Sequence, residues 1–588
     1  RFPISGNRAD WPKLYERLKH HQLSFDFLSP IPDSATPPMT HLPRSGFYDD
    51  GTQVLLGRMT VDLADRNHGF ERVWKDSGNG QLGDRRLGSV LKEAFPDNPE
   101  WWKVDMDEEM THHELWLNHF DDFLRYHRGD IIGTDRLDRE YHVTRFFMAL
   151  QRVCGVSFSS VFTVSRFARG LLRRKATWAA PTGTYDKSQH KSYGGGFVAE
   201  PKGGSHEWVA VFDCAAMYAE IQRAYNISPE TLIIDPEHDV TMNEDIAITL
   251  ENDTAWDHRT VGVLPQLQID LAAARNDAKA EMKKHEPEST EYAGFNTLQL
   301  AFKRAAASVY GLMGHTGHGE SHRTVAATIT FVGRSLTTRL MEVAEEMGFE
   351  ALAGHTDSIY VAIGEDADGE KIADDLTRTI QGEFKSERFV VEYEKLMKSW
   401  VAASSEKRTV KNRNFGWVVW PKEGLHCTGF ELKKSNASLL TKAVQEGAFT
   451  AMCYDVASED DLQDLITQWI LNVRAGTVKR EAMVMRSRLS KNPEKYDQNG
   501  GFQGAAKRYN EHVLGPKHPD RYRAGDSVSY TYTTSGITAF KTEKELAELD
   551  LDYTTIIQKQ IIAPVSLIFE AMGWRMPTSD GSRPQGLW

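Results

Sequence analysis

The sequence predicts a multidomain chain that combines α/β and α+β architecture. Three observations lead there. The chain has 588 residues, 40% of them hydrophobic, with 14 Trp, which is enough for several cores and unlike a disordered polymer. Two strand signatures lie far apart: the apolar run Trp208-Val-Ala-Val-Phe212 reads as a buried strand, and the alternating run Ile359-Tyr-Val-Ala-Ile363 reads as one arm of a hairpin. Between them, residues 264–284 and 297–311 place apolar residues at helical spacing.

Each element carries residues of chemical interest. Tyr193-Gly-Gly-Gly-Phe-Val198 comes first, and its glycines allow backbone to approach a phosphate closely. Asp213 stands at the end of the buried strand, and Asp357 at the expected hairpin tip. Taken singly, each Asp also reads as a turn residue or helix cap. The first helical stretch carries Arg275 and Lys279, four residues apart and therefore on one face. The second carries Lys303, Tyr310 and Gly311; a lysine on a helix is ordinarily a solvated surface group. The segment His315-Thr-Gly-His-Gly-Glu-Ser-His322 reads either as a metal site or as a glycine-rich turn, and its place directly after the helix favours the turn.

Composition narrows the field less. A net charge of −13 argues against a histone-like nucleic-acid binder. An acidic chain can still attract DNA through a locally basic channel, and basic runs are available at 166–175, 407–413 and 480–491, although each also reads as plain charged surface. The four cysteines, Cys154, Cys214, Cys427 and Cys453, form no Cys-x-x-Cys pair, which excludes a Cys₄ zinc module and points to a reducing compartment. No apolar run reaches membrane-spanning length and no signal-peptide pattern stands out, so a cytoplasmic location is expected. The chain opens with Arg1, so its natural start is expected to be missing or processed.

Three segments in order, Val211-Phe-Asp-Cys-Ala-Ala-Met-Tyr-Ala219, Lys303-Arg-Ala-Ala-Ala-Ser-Val-Tyr-Gly311 and Gly354-His-Thr-Asp-Ser-Ile-Tyr-Val361, resemble the active-site motifs of family B DNA polymerases of archaeal or viral type. Asn226-Ile-Ser-Pro-Glu-Thr-Leu232, Thr428-Gly-Phe-Glu-Leu-Lys-Lys-Ser435 and Gly525-Asp-Ser-Val-Ser-Tyr530 extend the resemblance over roughly residues 190–575. It implies a right-hand fold of palm, fingers and thumb behind an N-terminal ribonuclease H-like exonuclease-type domain. It implies that Asp213 and Asp357 hold two Mg²⁺ ions, with Mn²⁺ as an alternative, because nucleotidyl transfer spreads charge over phosphoryl oxygens and hard cations need oxygen ligands. Arg275, Lys279 and Lys303 would grip the triphosphate of a deoxynucleotide, with Tyr218 and Tyr310 beside it and Tyr218 as a steric gate against ribose. Tyr193, Gly194 and Gly195 would touch the template strand. Lys407 and Arg408, in Glu406-Lys-Arg-Thr409, would touch the primer duplex. Primer-template DNA is the implied macromolecular partner, a sliding clamp a further one, and the nucleoid or a viral replication site the implied place of action. The interval between the first two motifs lacks the long insertion of protein-primed members, so a base-paired primer is expected.

The departures are specific. His355 replaces the first Asp of the usual Asp-Thr-Asp, leaving a group that is mostly neutral at pH 7 near the primer terminus; His355, Thr356 and Ser358 flank Asp357 without an assigned role. Ala307 stands for Asn, Ala216 and Ala219 for Ser and Pro, and Thr409 for Tyr. In the N-terminal third, Leu23-Ser-Phe-Asp-Phe-Leu28, Asn118-His-Phe-Asp-Asp122 and Glu140-Tyr-His-Val-Thr-Arg145 resemble degenerate exonuclease motifs. Leu28 and Arg145 stand where carboxylates belong, so loss of proofreading is expected. Tyr126-His-Arg-Gly-Asp130 also fits the last of these motifs but reads as a loop. The expected division is a reduced exonuclease-like domain over 1–180, palm over 185–265 and 321–395, fingers over 266–320, and thumb over 396–588. The favoured expectation is template-directed DNA synthesis without proofreading, in repair or lesion bypass. A catalytically weakened relative that binds DNA or acts as a scaffold, and a nuclease working through the N-terminal domain, are the alternatives.

Overall fold

The computed structural model describes residues 39–41, 53–55, 63, 69–77, 79, 82, 87–103, 112–176, 193–233, 254–315, 320–403, 410–434, 436–496, 500–514 and 521–582. Two compact units emerge: residues 1–195 with 216–333, and residues 196–215 with 334–588.

The first unit is mainly helical. Its helices are α1 (Phe70–Asp76), α2 (Leu87–Ala94), α3 (His112–Asn118), α4 (Phe120–Tyr141), α5 (Val143–Cys154), α6 (Val164–Arg173), α7 (Met217–Ala224), α8 (Val263–Met282), α9 (Thr290–Met313) and the start of α10 (Arg323–Glu346). Residues 126–130, expected as a loop, lie inside α4: Asp130 pairs with Lys103 at 2.5 Å, and Gly133 one turn on is buried against Leu91. The break between α4 and α5 is His142, in the left-handed region at φ 52°. It separates Tyr141 from Arg145. Tyr141, half-buried, donates to the Ala94 carbonyl at 3.0 Å and packs among Phe70, Trp74 and Phe95, so it is engaged in packing against the core.

The helices α8 and α9 match the two expected helical stretches, except that α9 begins seven residues earlier than 297. Ser289 caps it by accepting from Tyr292 N, and the Thr297 hydroxyl bonds back to the Ala293 carbonyl within the helix. The two pack as an antiparallel pair, with Gln268 Nε2 donating to the Ala306 carbonyl and Arg275 Nε to Gln299 Oε1. The helices α5 and α6 lie along α9. Arg169 and Arg173 of α6, within a run expected to be available for DNA, both donate to the fully buried Glu320, at 2.9 and 2.8 Å. A buried carboxylate demands such partners.

The second unit is built on a six-stranded antiparallel sheet. Its strands are β1 (Gly204–Cys214), β2 (Glu350–His355), β3 (Ser358–Ala362), β4 (Val391–Ala402), β5 (Asn414–Trp420) and β6 (Gly424–Thr428), in the order β6-β5-β4-β1-β3-β2. The sheet continues well past residue 395, so the expected palm–thumb boundary falls inside β4. The reason is hydrogen bonding: β4 pairs with both β1 and β5. β1 is an interior strand, and its burial pattern matches the near-continuous apolar run Val209–Phe212. A second core joins Phe415, Phe430, Phe449, Ile466, Ile557 and Phe569, and a three-stranded sheet over 485–488, 527–533 and 536–540 carries a third around Tyr509, Tyr522 and Val528. No described helix is long and apolar enough to cross a membrane.

Candidate active site

The two candidate carboxylates meet in the second unit. Asp213 is directly opposite Ser358 on β3, one residue from Asp357, and Cys214 N donates to the Asp357 carbonyl at 2.7 Å. The hairpin tip is over-determined. Thr356 sits at φ 51°, an outlying conformation for a β-branched residue. It is held there because its N–H donates to the Phe197 carbonyl at 2.6 Å and its carbonyl accepts from the Thr337 hydroxyl at 2.5 Å. Strain at this tip fixes where the Asp357 carboxylate emerges.

A third carboxylate joins them through a bulge. Val211 and Phe212, adjacent in β1, pair with Lys395 and Tyr393, so Glu394 is an extra residue in β4. Bulges re-aim side chains. Burial, then the charges of Asp357, Glu394 and Glu392, push Asp213 up to about 7, with Lys395 opposing. Burial and Glu394 raise Asp357 as well, against its own backbone hydrogen bond. Glu394 was missed at the level of sequence, where Glu392 and Glu394 read only as the polar positions of an alternating strand. Half-buried oxygens with excess negative charge suit a hard divalent cation. Among the described residues no group of three or more His, Cys, Asp or Glu is arranged to hold a metal ion, Glu394 included; Asp213 and Asp357 remain the candidate ligands. His355 bridges to Val198, packs its ring 5.3 Å from Tyr360, and has its pKa lowered by burial; its Nε2 has no hydrogen-bond partner among the described residues.

The raised carboxylate has a consequence for stability. A folded-state pKa above the ordinary 3.8 means that Asp213 contributes stability below that value and loses it as pH rises through about 7. In EDTA at pH 8, Asp213→Asn is therefore expected to stabilise the protein by on the order of 2 kcal/mol and to flatten the fall of stability from pH 5 to 8, as read by chemical denaturation. A destabilised Asn variant at pH 8 would sink this account.

The remaining candidates sit in the first unit. Ala216, at φ 51°, precedes α7, and Tyr218 packs its ring 4.4 Å from that of Tyr310. On α9, Lys303, Ala307, Tyr310 and Gly311 share one exposed to half-exposed face, opposite buried Ala301, Ala305 and Leu312. Arg275 and Lys279 are half-buried on α8. The segment 226–231 turns out to be the cap of that helix: Asn226 Oδ1 accepts from Gly262 N at 2.9 Å, Ser228 Oγ from Leu264 N at 3.2 Å, and Glu230 from Val263 N. Tyr193 lies against Gly314, and the Thr330 hydroxyl donates to the Gly194 carbonyl at 2.7 Å, while a side chain at Gly195 would meet open space. Lys407, Arg408, Leu28 and Asp26 lie outside the described residues. Asp122 and Arg145 are both exposed, on α4 and α5.

The family model described as DNA polymerase family B matches residues 170–572. DNA polymerase 2 of Aeropyrum pernix is 26% identical over 578 residues, covering 96% of this chain and 66% of that protein. The DNA polymerase of Archaeoglobus fulgidus is 28% identical over 494 residues, covering 79% of this chain and 58% of that protein. Among solved structures, the family B DNA polymerase of the hyperthermophilic archaeon Pyrobaculum calidifontis has a like fold, with a TM-score of 0.70 at 21% identity, over 97% of this chain and 70% of that one. The chain thus spans about three-fifths to two-thirds of the length of these two curated relatives.

Proposed function

Because this chain belongs to DNA polymerase family B, we propose that it extends a base-paired primer by template-directed addition of deoxynucleotides. The observation that carries this reading is the locking of Asp213 to the Asp357 hairpin across neighbouring strands, with Glu394 beside them. Divalent cations, two Mg²⁺ or Mn²⁺, would supply charge neutralisation and activation of the primer hydroxyl. Asp213 and Asp357 would hold them; the rigid strand and strained tip keep the carboxylates fixed, so little reorganisation would accompany the reaction. Arg275, Lys279 and Lys303 bind the triphosphate, Tyr218 excludes a 2′-hydroxyl, and Tyr193 with its glycines tracks the template. Lys407 and Arg408 are assigned to the primer duplex. Family terms then divide the chain into palm strands β1–β6, fingers α8–α9, and a thumb after residue 428.

The test is primer extension on a templated duplex with Mg²⁺ and, separately, Mn²⁺. Extension to the template end supports the reading. Tight DNA binding without extension under either ion favours the second reading, a DNA-binding or scaffolding relative, which His355 and Ala307 in place of the usual Asp and Asn make specific. We further assign no proofreading to the N-terminal region. Arg145 adds positive charge where a metal-binding carboxylate belongs, and Tyr141 beside it is committed to the core. A 3′-mismatched primer is expected to be left uncut or extended. Rapid metal-dependent trimming that is lost on Asp122→Ala would overturn this. A role in repair or lesion bypass would follow from extension past a damaged template base.

A further inference from the structure

The buried Gly333 of α10 is unusual in its setting. It lies in the interior of a 24-residue helix, where glycine is less favourable than alanine. Its φ is not in the left-handed region, so the backbone does not require glycine there. Space does. A Cβ at Gly333 would stand 3.0 Å from Cε1 of Tyr218, 3.0 Å from Cε of Met217 and 3.7 Å from Cδ1 of Ile221. The Met217 terminus can swing aside. The Tyr218 ring has less freedom, because the Tyr310 ring packs 4.4 Å away from it. Tyr218 is thus clasped between the bare backbone of α10 and an aromatic ring of α9.

We propose that Gly333 is a positioning residue for sugar selection: its missing side chain is the seat that sets the depth and tilt of the Tyr218 ring. This rests on the reading of Tyr218 as the gate against ribose. A methyl group at Gly333 requires the ring to move by a few tenths of an ångström. Steric discrimination depends steeply on such distances, so the displaced ring changes the fit of the nucleotide sugar without removing the wall.

The experiment is a double-mutant cycle on the full chain, comparing kcat/KM for deoxy- and ribonucleotides in primer extension. Gly333→Ala is expected to change the deoxy/ribo ratio by roughly 5- to 50-fold, mainly through KM, with little change in melting temperature because better helix propensity offsets the new contact. In a Tyr218→Ala background the same change is expected to leave the ratio unaltered, since the ring it displaces is gone. If Tyr218→Ala alone leaves discrimination intact, the gate reading itself fails. If Tyr218→Ala relaxes discrimination but Gly333→Ala does not alter it, or alters it equally in both backgrounds, the seat is refuted and the gate stands. Should Gly333→Ala not fold, the comparison is made between Met217→Ala and Met217→Ala/Gly333→Ala, in which one of the two 3.0 Å contacts is relieved.

Discussion

Replacing Asp213 or Asp357 with alanine is expected to lower primer extension by roughly 10³-fold or more, while affinity for primer-template duplex changes by less than about 3-fold. The reasoning separates chemistry from binding. The two carboxylates come from β1 and the β2–β3 tip, in a half-buried site where burial and then neighbouring negative charge raise both pKa values. Removing either leaves a cation with too few hard ligands, and the loss falls on the reaction itself. Duplex affinity would come instead from basic groups that meet the phosphates, and removing one negative charge would not weaken it. The measurement pairs single-turnover extension with equilibrium DNA binding. An alanine variant at either position that extends at near the parental rate would show that the site is misassigned. Asp213→Asn is the sharper tool, because it is expected to be inactive yet more stable than the parent at pH 8 without metal, which rules out unfolding as the cause of lost activity.

Replacing Tyr218 with alanine is expected to raise ribonucleotide use relative to deoxynucleotide use by roughly 10- to 200-fold. The ring is half-buried, packed on Tyr310 and seated at Gly333, so it is placed by contacts on two elements rather than by its own helix alone. As the proposed gate it would discriminate by occupying space, and deleting it would remove the obstacle without breaking a substrate hydrogen bond. Tyr218→Phe should then keep most of the selectivity, since the hydroxyl contributes little to a steric wall. If Tyr218 were only a core residue, the alanine variant would melt at lower temperature with an unchanged deoxy/ribo ratio, and that result would reject the gate.

Much of the local structure around the candidate site was legible in sequence because it depends on local pattern. An apolar run ending in Asp213, an alternating run after Asp357 and two stretches at helical period each write a periodicity into neighbouring residues, and chain order supplied the rest. Residues 126–130 read as a loop in sequence because glycine breaks helices, whereas α4 holds Gly129 through packing of the helix on α2 and the Lys103–Asp130 pair. The run of the sheet past residue 395 is hidden in sequence for a related reason. Similarity to a thumb says nothing of sheet hydrogen bonds, and β4 to β6 are joined to β1 by them.

What sequence alone determined was the elements that carry the candidate residues: Asp213 on a buried strand, Asp357 on a tight turn, Arg275, Lys279 and Lys303 on two long helices. Tertiary structure decided how those groups are held. The Cys214 N–H reaching the Asp357 carbonyl, the bulge that brings Glu394 to Asp213, the cap that Asn226, Ser228 and Glu230 place on α8, and the seat that Gly333 gives Tyr218 all join residues distant in the chain. Such pairings leave no period in the sequence. They exist because buried polar groups must find partners and close-packed side chains must find room, and both requirements are met only when the chain has folded.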